Sequence, residues 1–141
     1  MLSPSSQSPN VWLVDDDQDD QFLVYTAFEQ HTPSIPLKIL NDGDEVLPEL
    51  SNAPEPPRLI LLDINMPRQN GFETLAQVRR TVAWQDLPII LFTTSSTEGD
   101  QERAQALGAT HFLTKPTDYG QLQVMISQLV KHYLPSNALP S

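Results

Sequence analysis

Leu59-Ile60-Leu61-Leu62-Asp63 ("LILLD") runs four apolar residues without a break and ends on a carboxylate. A strand with one face in water alternates apolar and polar residues, because successive side chains point to opposite faces. An unbroken run reads instead as a strand covered on both faces, as in a parallel sheet packed between helices. Val11–Val14 ("VWLV") and residues 89–92 ("IILF") have the same character. Leu37–Leu40 ("LKIL") and His111–Thr114 ("HFLT") are strand candidates too, but their Lys38, His111 and Thr114 suit sheet edges.

Helical patterns fill the intervals. Leu122, Met125, Ile126, Leu129 and Tyr133 recur at the spacing of one helix face. Phe72, Leu75, Ala76 and Val78 outline a shorter helix after Gly71, and Phe22, Leu23, Ala27 and Phe28 supply apolar positions for the first. Residues 44–50 and the mostly polar residues 97–107 complete the series, with Gly108 as a natural helix stop. Five strand–helix alternations predict an α/β fold: a doubly wound five-stranded parallel sheet with five helices. Strands one, three and four belong in the centre and two and five at the edges, which the order 2-1-3-4-5 satisfies. The ligand crevice of that order lies at the carboxyl ends of strands one and three.

With 141 residues the chain is expected to form one domain over residues 10–134, flanked by disordered Ser- and Pro-rich tails at 1–9 and 135–141. No apolar run is long enough to span a bilayer, and the start lacks the basic and apolar segments of a secretory signal, so cytoplasm is the expected location. There is no cysteine, which excludes disulfides and thiolate metal sites. A net charge of -10 disfavours nucleic acid and anionic membranes as partners.

The crevice collects chemistry. Asp15 and Asp16 end the first strand, Asp63 the third, Thr93 the fourth and Lys115 the fifth. A single such residue marks only where a strand leaves the core; five complementary groups at one rim point to a site. Oxygen ligands without His or Cys suit Mg2+ (or Mn2+), which would relieve the repulsion between Asp16 and Asp63. A carboxylate kept ionised by a cation and an ammonium is able to attack phosphorus and form an acyl phosphate. Lys115 would neutralise the transferring group and Thr93 would hydrogen-bond its oxygen.

"LVDDD", "LLDINMPRQNGFE", "LFTTSS" and "TKPTD", in this order and spacing, resemble the receiver domain of bacterial two-component response regulators, a CheY-like, flavodoxin-like fold. The resemblance implies that Asp63 is the phosphoacceptor. It implies metal binding by Asp15, Asp16, Asp63 and the backbone carbonyl of Asn65, with Asp15 acting largely through water. Lys115 would contact the phosphoryl group, and the Lys115–Pro116 bond is expected to be cis. Met66, Pro67 and Gly71 match the pocket loop, with Thr94, Ser95 and Pro116 beside it. Thr93 and Phe112 match a switch pair that reshapes the face of helix four, strand five and helix five. For Phe112 taken alone, core packing is the competing account.

The implied partners are a sensor histidine kinase, gripping helix one near Phe22, and a downstream protein or phosphotransfer domain. The last face is also a route to homodimerisation. The "DDDQDD" block resembles a subgroup of stand-alone receivers that includes those paired with phytochrome-type kinases. Independently of any resemblance, Asp17, Asp19 and Asp20 read as acids at a helix N-terminus, favoured by the positive end of its dipole. No fused output module and no enzyme activity beyond self-phosphorylation and dephosphorylation are expected.

Three alternatives compete. Asp15, Asp17 and Asp19 alternate as in an EF-hand loop, but Asp20 and Thr26 stand where Gly and Glu are needed. A haloacid-dehalogenase-type phosphatase would use Asp15 as nucleophile with Asp17 in a D-x-D pair. A degenerate receiver would serve only as a binding module. His31, His111 and His132 are scattered, and Trp12 and Trp84 suit packing.

Overall fold

The computed structural model describes residues 10–31, 35–94 and 97–134; Ser95 and both predicted tails lie outside them. Five strands alternate with five α-helices: β1 (Val11–Val14), α1 (Gln18–His31), β2 (Leu37–Leu40), α2 (Val46–Asn52), β3 (Leu59–Leu62), α3 (Gly71–Arg79), β4 (Ile89–Thr93), α4 (Glu98–Ala106), β5 (His111–Thr114) and α5 (Tyr119–Tyr133). All pairings are parallel, in the order β2-β1-β3-β4-β5. The apolar runs of β1, β3 and β4 are buried throughout, while β2 and β5 are partly exposed edges.

Alternation along the central strands divides the core into two layers. Trp12, Val14, Ile60, Leu62, Ile89 and Leu91 face a cluster with Val46 and Leu50 of α2, Phe72, Leu75 and Val78 of α3, and Ala104 of α4. Val11, Leu13, Leu59, Leu61, Ile90 and Phe92 face Val24, Ala27 and Phe28 of α1 and Leu122, Ile126 and Leu129 of α5. Burying both faces explains the unbroken apolar runs. Lys38 on the edge strand β2 pairs with Glu49 and lies 5.2 Å above the Trp12 ring, so that edge carries a charge.

Two helices depart from expectation. Phe22 and Leu23 are 67% and 41% exposed, and the inward stripe of α1 is Val24, Ala27 and Phe28. At 100° per residue Phe22 and Leu23 fall off that stripe. The helix expected at 44–50 begins later, after a 3-10 turn at Gly43–Glu45, and places Pro48 in its first turn, where a missing N–H is harmless. Gly108 follows α4 with φ 95°, the left-handed conformation that lets a helix end.

Candidate functional site

Parallel pairing brings the strand ends to one rim. Asp15 N–H donates to Leu40 O (3.0 Å) and Asp63 N–H to Val14 O (2.9 Å), so both carboxylates leave the sheet at the predicted crevice. Asp15, Asp16 and Asp63 each offer an oxygen within 4.8 Å of the others, with Asp15 and Asp63 buried and Asp16 exposed. Lys115 joins them from the end of β5, its N–H bonded to Thr93 O at 2.6 Å. Its Nζ lies 2.5 Å from Asp15 Oδ2, 2.8 Å from Asp20 Oδ2 and 3.5 Å from Asp63 Oδ2.

Crowding like charges away from water has consequences. Burial pushes the Asp15 carboxyl up to about 6, against the opposing pull of Lys115 and the Asp17 N–H; the charge of Asp63 adds to the rise. Burial also raises Asp63, although Lys115 and the backbone N–H groups of Ile64 and Asn65 oppose it. For Lys115 burial pulls downward, but hydrogen bonds to Asp15 and Asp20 outweigh it and the ammonium is stabilised. The Thr93 hydroxyl is buried and finds no hydrogen-bond partner of good geometry, though its dipole helps Asp63 ionise. Three hard oxygen donors and an excess of buried negative charge fit a small divalent cation.

The other candidates surround this cluster. Asn65, exposed, follows Asp63 on the loop after β3, and Met66 turns into the core beneath it; Pro67 is exposed. Thr94 is exposed at the end of β4, and Pro116 is half-buried beside Lys115. Phe112 is half-buried on β5 against the layer that contains α3 and α4. The Lys115–Pro116 bond is trans, correcting the expected cis form; trans is the commoner state of X–Pro bonds, and with it Lys115 still reaches the carboxylates.

Two acids went unrecognised in the sequence. Asp42, buried after β2, accepts hydrogen bonds from the backbone N–H groups of Gly43 (2.7 Å), Arg68 (3.1 Å) and Gln69 (2.9 Å), tying the loop after β3 to the α2 side. Asp20 is more than a helix-terminus acid, since it bonds Lys115. A signal existed: Asp20 lies four residues before Val24, at the rim end of the inward stripe. Asp17 behaves as expected of an acid at a helix start, accepting from the N–H groups of Asp19 and Asp20.

Comparison with known proteins agrees with this geometry. Residues 11–127 match the family model of the response regulator receiver domain. The response regulator Rcp1 of Synechocystis sp. is 31% identical, the alignment covering 99% of each chain. A crystal structure of the Mn(2+)-bound form of Rcp1 superposes with a TM-score of 0.80, at 30% identity over 94% of this chain and 99% of that one. The phosphorylated cyanobacterial phytochrome response regulator RcpA gives 0.84, at 28% identity over 95% and 99%. The match covers most of the folded chain and includes every rim residue named above. The chain belongs to the response regulator receiver domain family.

Proposed function

We propose that this protein is a response regulator, with its receiver domain over residues 10–134, that accepts a phosphoryl group on Asp63. The observation that carries the reading is the convergence of Asp15, Asp16 and Asp63 beside the Lys115 ammonium and the unpartnered Thr93 hydroxyl. One Asp63 oxygen accepts the Ile64 N–H at 2.7 Å, while the other faces Lys115 at 3.5 Å, longer than a hydrogen bond and so less engaged. That second oxygen attacks phosphorus of a phosphohistidine; the P–O bond forms, the P–N bond breaks, and the imidazole leaves as the neutral base after gaining a proton. Lys115 and Thr93 then hold phosphoryl oxygens. Hydrolysis by water returns Asp63 and inorganic phosphate, so the chemistry is confined to the protein's own side chain.

Asp15, Asp16, Asp63 and the Asn65 carbonyl would hold Mg2+ or Mn2+, the latter present in the Rcp1 structure. When bound, the cation neutralises carboxylate and phosphoryl charge. Met66, Pro67, Thr94, Ser95 and Pro116 would border the pocket. Engagement of Thr93 would draw it inward and let Phe112 follow, changing the surface of α4, β5 and α5 read by a downstream protein, a phosphotransfer domain or a second copy. The donor proposed is a sensor histidine kinase of phytochrome type, in line with the kinship to RcpA, meeting α1 where Phe22, Leu23 and Tyr25 are exposed. Among the described residues no helix is long and apolar enough to cross a membrane, which suits the proposed cytoplasmic setting.

The phosphatase alternative needs Asp15 as nucleophile. Asp15 is fully buried, and its two oxygens are engaged by Lys115 and the Asp17 N–H. Incubation with Mg2+ and a small phosphodonor, followed by peptide mapping by mass spectrometry, separates the readings. Label on Asp63 that disappears in Asp63→Asn supports the proposal. Label on Asp15 supports the phosphatase, and no label with any donor supports a binding module.

A further inference from the structure

The residue left over by this mechanism is Asp20. Asp17 caps α1 through the N–H groups of Asp19 and Asp20, and the first turn so fixed directs the Asp20 carboxylate at the site. Asp20 stands apart from the three carboxylates that converge for a cation; its ion pair is with Lys115, at 2.8 Å. An ammonium has three N–H donors. Two are committed, to Asp15 at 2.5 Å and to Asp20 at 2.8 Å, while Asp63 at 3.5 Å lies beyond hydrogen-bond length.

Chemistry at Asp63 requires Lys115 to serve a different anion. A transferring phosphoryl group brings charge next to Asp63, and the ammonium is then shared between that group and its resting partners. Asp15 is wholly enclosed, but the Asp20 side chain is 25% exposed and belongs to α1, outside the strand ends that build the acceptor. Its charge acts twice in the same sense: it competes for the ammonium and it repels an anionic donor at the mouth of the site. By formal charge, Asp15, Asp16, Asp20 and Asp63 against Lys115 and a divalent cation would leave one surplus negative charge, which removal of the Asp20 carboxylate would cancel.

We propose that Asp20 is a positioning residue that restrains Lys115 and thereby slows phosphorylation of Asp63. This rests on Asp63 being the phosphoacceptor. The test is the second-order rate constant for labelling by acetyl phosphate at saturating Mg2+, in wild type, Asp20→Asn, Asp20→Ala and Asp20→Glu, each checked for folding by thermal unfolding. Asp20→Asn, nearly isosteric, should label about two- to fivefold faster than wild type, as expected for a partly exposed ion pair. Asp20→Ala should do the same, and Asp20→Glu, which keeps the charge, should stay near the wild-type rate. The gap between Asp20→Asn and wild type should narrow at about 1 M salt, where screening acts within about 3 Å; a packing effect would not respond in this way. Slower labelling of Asp20→Asn would show that Asp20 aims Lys115 productively and would overturn the proposal, as would an unchanged rate or a gap indifferent to salt. Wild type without label on Asp63 overturns the phosphoacceptor reading itself, and this proposal with it; labelled wild type with an unaltered Asp20→Asn rate overturns this proposal alone.

Discussion

On one side of the rim, the loop after β3 is tied to the buried Asp42, which accepts the backbone N–H groups of Arg68 and Gln69 as well as that of its neighbour Gly43, and Gly71 packs so closely that an added Cβ would lie 2.4 Å from Asp63 O. On the other side, α4 buries Ala104 among otherwise exposed or half-buried residues, and β5 is an edge strand with its first and last residues exposed. Asp15, Asp16 and Asp63 belong to the tethered side, whereas Thr93 and Lys115 lead into the looser one. On the proposed function, a site that must hold its nucleophile still and let its surroundings respond is served by that division: the proposed acceptor Asp63 is braced by buried hydrogen bonds, and the face proposed to respond has little packing to undo. Arg103 of α4, 4.3 Å above the Phe72 ring of α3, is one of the contacts that joins the two sides.

The comparison is open to experiment. The largest expected effect is that of Asp42→Ala, which removes the acceptor of three N–H groups and should cost about 3 kcal/mol in chemical denaturation; a loss below about 1 kcal/mol would show that the loop is held by other means. Gly71→Ala should cost about 1–3 kcal/mol by overpacking against Asp63 and Ile64, with Asp63 labelling slowed as well. Full stability together with full labelling would break the claim that close approach fixes the acceptor.

A smaller effect sharpens the electrostatic side. Because Asp15 is raised from 3.8 to about 6 and Asp63 is also raised, their native forms bind protons more tightly than the unfolded chain does. Their contribution to stability is therefore full below about pH 4 and is lost as pH rises through about 6. In chelator, the melting temperature should fall between pH 5 and pH 7.5, and saturating Mg2+ should restore much of the loss by binding the native state. Equal melting temperatures at the two pH values would argue against the crowding.

The smallest effect belongs to the loose side. Thr97 caps α4 by accepting the Asp100 N–H at 3.0 Å, in a reciprocal box with the Asp100 side chain. Thr97→Ala should speed hydrogen exchange across residues 98–106 while shifting global unfolding by less than about 0.5 kcal/mol, under the usual cost of a lost cap. A global loss of 1 kcal/mol or more would place α4 within the same cooperative unit as α3.

Unbroken apolar runs, helical spacing and the polar residue closing each strand were readable from the chain alone, because burial on both sheet faces writes directly into composition. The sheet order and the meeting of Asp15, Asp16, Asp63, Thr93 and Lys115 followed from them. Phe22 and Leu23 lie on α1 as expected but outside its inward stripe, because the helix has more apolar residues than that stripe accepts. The role of Asp42 was invisible, since an acid after an edge strand looks like an ordinary turn residue until the loop after β3 folds back on it. Asp20 carried a faint signal in its phase with Val24, outweighed by the plausible account of a helix-dipole acid.

What the sequence determined by itself was which groups reach the rim, since strand polarity and order depend on local periodicity and burial. Only the tertiary structure decided how they share one ammonium, that Lys115 meets Asp15 and Asp20 more closely than Asp63, and that the Lys115–Pro116 bond is trans. The reason is physical: distances between charges brought together from across the chain are set by the packing of whole elements, and no local pattern of residues encodes them.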